Sequence, residues 1–313
     1  MIDLHCDTLM LCALEDGYLL LQNSGCISLE KMQAGDMLAQ CFAIFVLSGE
    51  AARQYGCSLS PYEYYQKALS AYKRQMQMNS DLILPALCAE DVLKNRAAGR
   101  MSSVLTVEDA VLLEGNIQRL QQLHEDGVRM MSLCWNYENE LCYPNSDDKE
   151  LMGRGLKEFG IECLEQMNAL GIIADVSHLS EGGFWDVVRY SKKPFAASHS
   201  CAGTLCPHRR NLSDEQLGAI ADCGGVVGVN FYPEFLSPDA DGSMEQVVRH
   251  IRHIHKVAGI DTLALGSDFD GFDGPCELDS CDKLPRLRAA LERHFTQDEL
   301  DKICTLNALR LFK

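Results

Sequence analysis

Hydrophobic residues along the chain fall in short runs separated by longer amphipathic stretches. Near-continuous apolar runs occur at Ile2–His5, Leu38–Val46, Ser103–Val107, Met130–Cys134, Ile172–Val176, Phe195–Ser198, Val226–Phe231 and Leu263–Gly266. Runs of this length without strict alternation fit strands covered on both faces, as in parallel sheets. A ninth run, Ile83–Leu87, contains Pro85 and is read as a connecting segment, because proline cannot donate to a sheet ladder. Between the runs the apolar period becomes helical, at Pro61–Met78, Asn116–Glu125, Gly155–Leu170, Gly182–Tyr190, Asp214–Asp222, Met244–Ala258, Leu284–His294 and Asp298–Leu311. Ser213 with Gln216, and Thr296 with Glu299, have the spacing of capping boxes. Gly171 and Gly259 follow helical patterns where a left-handed residue is expected.

Eight strand-like runs interleaved with helices, with no linker, repeat or low-complexity tract, predict one α/β domain over residues 1–313. A (β/α)8 TIM-type barrel is the expected architecture, and a doubly wound open sheet is its rival. The composition is that of an ordinary globular protein, with 47% hydrophobic and 23% charged residues. The net charge of −17 repels phosphate backbones and anionic lipid heads, so no nucleic-acid or membrane partner is expected. No stretch reaches the roughly 18 apolar residues of a membrane span. The segment Met1–Asp7 lacks the basic and apolar regions of a secretory signal. Fifteen scattered cysteines, none in a CxxC pair, read as reduced and mostly buried, which points to a cytoplasmic location.

Residue types that ligate metals recur where the apolar runs end. His5 and Asp7 close the first run, Glu108 follows the third, His178 the fifth, His199 the sixth and Asp268 the eighth. In a barrel, the C-terminal strand ends form one face, and groups from different strands meet there. Three histidines, two aspartates and a glutamate gathered in one place suit zinc or a neighbouring metal. Residues i and i+2 of an extended segment point the same way, so His5 and Asp7 can face one ion while Cys6 turns aside. Asp175, three residues before His178, has two open readings: it orients His178, or it is a strand-end carboxylate without a role. His250, His253 and His255 lie on an amphipathic helix and are read as solvated, and so are Glu114, Glu138 and Glu140.

The segments Asp3-Leu4-His5-Cys6-Asp7, Val107-Glu108, Asp175-Val176-Ser177-His178, Ser198-His199-Ser200, Arg209-Arg210-Asn211 and Gly266-Ser267-Asp268-Phe269-Asp270-Gly271 occur in an order that resembles the signature set of the renal (membrane) dipeptidase family, within the amidohydrolase superfamily. The resemblance runs from residue 3 to residue 271. It implies a (β/α)8 barrel and two Zn2+ ions per chain. His5 and Asp7 would hold one ion, His178 and His199 the other, with Glu108 and a hydroxide bridging them. Asp268 would be the catalytic proton-handling carboxylate. Arg210 would grip the C-terminal carboxylate of a dipeptide, and Tyr232 would line the same end. A homodimer is usual among such relatives.

Two departures accompany the resemblance. Where the family carries a histidine that contacts substrate and developing oxyanion, this chain has Trp135, whose indole offers one N–H donor and never becomes cationic. Where two glycines usually follow the bridging glutamate, Asp109 and Ala110 stand here, which leads us to expect an added carboxylate beside the metals. Two ions about 3.5–4 Å apart share a hydroxide, whose pKa zinc lowers from 15.7 to about 7. Peptide hydrolysis then needs only a proton carrier, Asp268, and a carboxylate clamp, Arg210. The expected activity is dipeptide hydrolysis, with L-Xaa-D-Xaa as well as L-Xaa-L-Xaa substrates. The alternatives are an amidohydrolase for a lactam or N-acyl amino acid, and a catalytically silent dipeptide- or metal-binding relative.

Overall fold

In the computed structural model, which describes residues 1–313, nine parallel strands form one sheet. They are β1 (Ile2–Cys6), β2 (Ala39–Phe45), β3 (Ile83–Pro85), β4 (Met101–Glu108), β5 (Val128–Ser132), β6 (Ile173–Asp175), β7 (Ala196–Ser200), β8 (Val226–Val229) and β9 (Leu263–Leu265). Eight of them close a barrel in the order β1-β2-β4-β5-β6-β7-β8-β9, with β9 pairing back onto β1. Helices follow the strands around the outside, so the TIM-type architecture holds and the open sheet does not.

The segment expected to be a mere connection is instead the short strand β3. Strand β4 meets β5 only from Leu105 onward, which leaves Met101–Ser103 open on that edge. β3 fills the gap, pairing Ile83, Leu84 and Pro85 with those three residues. Pro85 is the last residue of β3, and its missing N–H costs the pairing nothing, because the bond to β4 comes from Ala86, whose N–H donates to the Ser103 carbonyl at 2.8 Å.

The barrel floor is apolar. One buried cluster takes Ile2 and Leu4 from β1, Ala39 and Cys41 from β2, Val104 from β4, Met130 from β5, Ile173 from β6, Ala196 from β7, Val226 from β8 and Ala264 from β9. Residues drawn from every barrel strand can meet only in the interior, and Leu309, Leu311 and Phe312 close the same cluster. Above this floor β7, β8 and β9 approach very closely. A Cβ on Gly228 or Gly266 would collide with the carbonyl oxygen of Ser198, so only glycine permits the approach.

Helix ends follow their sequence signals with two exceptions. The capping boxes Ser213–Gln216 and Thr296–Glu299 are both formed, and Gly171 is left-handed. Gly259 has positive φ but extended ψ (81°, 169°), because the chain turns directly into the short 3-10 helix Ile260–Thr262. The predicted last helix is interrupted by a π-turn at Lys302–Leu306. The extra residue brings Asn307 round, where its amide donates to the carbonyls of Ile260 (2.7 Å) and Leu263 (2.8 Å). All fifteen cysteines are free, ten of them buried. No helix is long and apolar enough to cross a membrane.

His250 corrects the expectation of a solvated residue, since it is 0% exposed. Its Nδ1 accepts the N–H of Ala202 at 3.0 Å, and its Nε2 faces the carbonyl of Leu236 at 2.9 Å. The helix Met244–Ala258 thereby ties down the loops beyond β7 and β8. Burial pushes His250 down to about 4. A neutral folded imidazole means that the unfolded chain binds the proton first as pH falls. Stability is therefore expected to drop between about pH 6.5 and about pH 4, by roughly 3 kcal/mol in total. Urea unfolding of the native chain and of His250→Gln, compared at several pH values across that window, checks this; parallel pH slopes would refute it.

Candidate metal centre

The six residues expected at strand ends meet at the C-terminal mouth of the barrel. His5 lies in β1, with Asp7 just beyond it; Glu108 ends β4; His199 lies in β7; His178 and Asp268 follow β6 and β9. His5 Nε2 stands 3.5 Å from Asp7 Oδ2, 3.6 Å from Glu108 Oε2 and 3.8 Å from Asp268 Oδ1. On the other side, Glu108 Oε1 is 2.8 Å from His178 Nε2 and 3.6 Å from His199 Nε2, and the two imidazole nitrogens are 3.0 Å apart. Ligand atoms of His5, Glu108 and His199 form one compact group, and those of His5, Asp7 and Asp268 a second. Glu108 stands between the two halves, and its side chain is 4% exposed.

The layer beneath fixes how these donors point. Asp175 neither orients His178 nor lacks a role. Its carboxylate accepts from Ser132 Oγ (2.9 Å), the N–H and Oγ of Ser177 (3.0 and 2.6 Å) and the N–H and Oγ of Ser198 (2.9 and 2.5 Å). With its proton given to Asp175, Ser198 Oγ can only accept from His199 Nδ1, 2.7 Å away. His178 Nδ1 faces Asn136 Oδ1 at 3.2 Å. Both histidines then carry their proton on Nδ1 and present an Nε2 lone pair, which at His178 accepts from Arg210 Nη2. Asp3 plays the corresponding part under β1 and β9, accepting from Ser267 N–H and Oγ (both 2.7 Å) and Gln40 Nε2 (2.8 Å). Asp175 was left open in the sequence, while Asn136, Ser198 and Asp3 were missed as supporting residues. Ser198 and Asp3 lie inside the quoted motifs, which was the available signal.

Two imidazole nitrogens and a carboxylate oxygen facing one another at 2.8–3.6 Å favour positive charge among them: Arg210 Nη2 meets His178 Nε2 at 3.0 Å, and a proton or a divalent cation would satisfy the rest. His5 Nε2 and Asp7 Oδ1 are also buried without a hydrogen-bond partner. Burial, then neighbouring positive charge, holds His178 and His199 well below the usual histidine range, so both are neutral ligands. Burial, with Asp7 beside it, lifts Glu108 to about 8, and burial lifts Asp268 to about 6 against the pull of His5. A divalent cation would reverse both rises. The donor set, imidazole nitrogen and carboxylate oxygen, fits zinc and its neighbours.

Above this centre is a cleft of about 540 Å³. Trp135, Arg210 and Tyr232 all line it. Arg210 is 6% exposed; its Nη2 lies 3.0 Å from His178 Nε2, and its Nη1 has no partner. Trp135 packs edge-on against Phe45 and Tyr137, at 4.7 and 5.6 Å between ring centroids. Asp268 has φ of 66°, a conformation unusual outside glycine. Asn230 Nδ2 donates to its Oδ2 at 2.9 Å, which leaves Oδ1 toward His5.

A family model described as membrane dipeptidase (peptidase family M19) matches residues 1–313. The chain belongs to the M19 membrane dipeptidase family. It is thus a hydrolase of metallo-dipeptidase type. A Klebsiella pneumoniae protein from the pqqA 5′ region is 37% identical, over 81% of this chain and 96% of that protein. An uncharacterized dipeptidase of Schizosaccharomyces pombe is also 37% identical, over 72% of this chain, which spans 56% of that longer protein. A metallopeptidase from Rhodobacter sphaeroides, crystallised with a phosphinate mimic of the dipeptide L-Ala-D-Ala, is 28% identical with a TM-score of 0.88, covering 99% of this chain and 97% of its own.

Against the M19 pattern, Asp109 is not the added metal-site carboxylate expected from the sequence. Its Oδ1 accepts the N–H of Val111 and Asn139 Nδ2, both at 2.9 Å, which turns it from the centre toward the wall. The cysteines and histidine near Arg210 form no cluster either. Cys201 and Cys206 each donate to a carbonyl, and His208 Nδ1 accepts the N–H of Arg210.

Asp175→Asn and Ser198→Ala each release the proton arrangement of His199. Each is expected to weaken metal binding by about 10–100-fold while the barrel still folds. Competition titration with a chelating dye measures this; unchanged affinity in both variants would contradict it.

Proposed function

We propose that the protein is a dinuclear zinc dipeptidase that accepts dipeptides with an L- or D-residue in second place. The observation that carries the reading is the convergence of the His178 and His199 Nε2 atoms on Glu108, with Arg210 in the same cleft bonding His178 through Nη2 and keeping Nη1 unpartnered. When bound, zinc would supply a nucleophile at neutral pH and polarise the scissile carbonyl, and Glu108 would be shared by the two ions. His5 and Asp7 would hold one ion, and His178 and His199 the other.

The rest of the chemistry belongs to the chain. Arg210 supplies a planar fork for the C-terminal carboxylate, and its burial strengthens that pairing. Tyr232 lines the same end of the cleft. A clamp this close to the centre limits how much chain follows the scissile bond, which selects dipeptides over longer peptides. Asp268 Oδ1, free of the Asn230 contact, takes a proton on the centre's side and returns it to the leaving amine. Trp135 and Phe45 wall the cleft with apolar surface, so this wall offers the oxyanion no histidine. The phosphinate mimic bound by the Rhodobacter relative supports including D-residues at the second position. We place the protein in a reducing cytoplasm, on the strength of fifteen thiols without a disulfide.

Purified protein is expected to carry close to two zinc equivalents by elemental analysis and to release amino acids from L-Ala-L-Ala and L-Ala-D-Ala. Asp268→Asn should lower kcat by about 10²–10⁴-fold and retain zinc. Full activity in that variant would sink the assigned proton path. Arg210→Lys should raise KM about tenfold or more with a smaller effect on kcat, since one ammonium cannot replace a fork. Tripeptides cleaved as fast as dipeptides would rule out the clamp.

A further inference from the structure

The charges lining the cleft can be accounted for one by one. Asp7, Glu108 and Asp268 face the metal centre. Asp270 accepts from Thr8 Oγ1 and the N–H of Cys26, each at 2.6 Å. Arg209 is tied to Asn145 and Asp147, and Arg210 lines the cleft with its Nη1 buried and unpartnered. That leaves Glu234 and Asp273, beyond β8 and β9, as the two lining carboxylates that no cation pairs, although Glu234 accepts from the Tyr232 hydroxyl.

An aromatic track joins these acids to Arg210. The Arg210 guanidinium lies 5.3 Å from the Phe235 ring centroid, Phe235 is 4.8 Å from Tyr232, and Tyr232 is 5.1 Å from Phe272, the neighbour of Asp273. Glu234, Asp268 and Asp273 all act on the Tyr232 hydroxyl, which burial together with these charges pushes up to about 12. Glu234 therefore meets the track at Tyr232 and Asp273 stands beside its Phe272 end, with Arg210 at the other end.

We propose that Phe235, Tyr232, Phe272, Glu234 and Asp273 form a subsite for a cationic side chain on the second residue of the dipeptide, so that the favoured substrates end in lysine, arginine or a similar basic residue. The inference rests on the dipeptidase reading above. A residue whose carboxylate is gripped by Arg210 lays its methylene stem along the rings, and its charged head reaches two carboxylates that no cation pairs. Stems of this kind pack on apolar surface while the head stays polar, and aromatic faces attract the cation.

The test compares kcat/KM for Ala-Lys, Ala-norleucine, Ala-Glu and Ala-Ala in the zinc-loaded enzyme, and then in Glu234→Gln, Asp273→Asn and the double variant. Norleucine supplies the stem without the charge. Ala-Lys is expected to exceed Ala-norleucine about tenfold, equivalent to about 1.4 kcal/mol, and Ala-Glu by more. Each single variant should shrink the ratio, and the double variant should bring it near one. Added salt should shrink it as well. A ratio near one in the native enzyme, or a lysine preference that survives the double variant, would overturn the subsite while leaving Ala-Ala cleavage to support the dipeptidase reading. A preference for Lys-Ala over norleucine-Ala instead would overturn the assignment to the second residue. Absence of cleavage for every dipeptide would sink both readings together.

Discussion

The arrangement depends on one electrostatic constraint: donor lone pairs held face to face inside a protein. His178 Nε2, His199 Nε2 and Glu108 Oε1 lie 2.8–3.6 Å apart with side chains at most 6% exposed. Water is not available to relax them, and a low-dielectric surrounding makes their repulsion larger than it would be at the surface. Arg210 relieves this only at His178 Nε2, and the remaining demand for positive charge favours a divalent cation. Asp175 and Asp3 support the site from beneath. Each is buried, yet each accepts from several donors, so neither needs a counter-ion, and each holds a serine that sets a neighbour's orientation.

The barrel supplies the stiffness that such repulsion requires. Its floor is packed with residues from every barrel strand, so the strand ends above cannot splay without opening an apolar cluster. Gly228 and Gly266 let β7, β8 and β9 approach more closely than side chains would allow, which sets His199 and Asp268 at their separation across the mouth. Gly271 contributes in the same way, since a Cβ there would collide with the carboxylates of both Asp7 and Asp268. The positive φ of Asp268 is held by this crowding and by the N–H of Gly271, which donates to the Asp268 carbonyl at 3.0 Å.

Much of this was legible in the sequence, and the omissions have physical causes. Parallel strands buried on both faces read as apolar runs, so all eight barrel strands were found, and their polar ends marked the six central residues. β3 was missed because its pairing depends on a gap in β4 that no local pattern announces. The helix Thr8–Leu14 was missed because five of its seven residues are buried, which erases the polar face that periodicity needs. His250 was misread for a related reason. Helical spacing shows which residues share a face with His253, but not that a loop covers the His250 end of it. Asn136 and Ser198 carry no ligand chemistry of their own, and their importance appears only when the imidazole protons are traced.

The two departures from the M19 pattern are physically one feature. Asp109 follows Glu108 with φ 79° and ψ 109°, a backbone conformation that glycine adopts freely and other residues resist. Glycine would be the easy choice there. Aspartate is tolerated because its carboxylate accepts from the N–H of Val111 and from Asn139 Nδ2, and it also bonds the backbone of Trp135. Asn139 in turn donates to the Leu133 carbonyl and accepts the N–H of Leu141. The side chain that follows Glu108 therefore fastens the loop that carries Trp135. A histidine that must meet an oxyanion can be carried on a mobile loop, because charge draws it in. A tryptophan that shapes the cleft by packing on Phe45 and Tyr137 has no such attraction, so its loop must be fixed from behind.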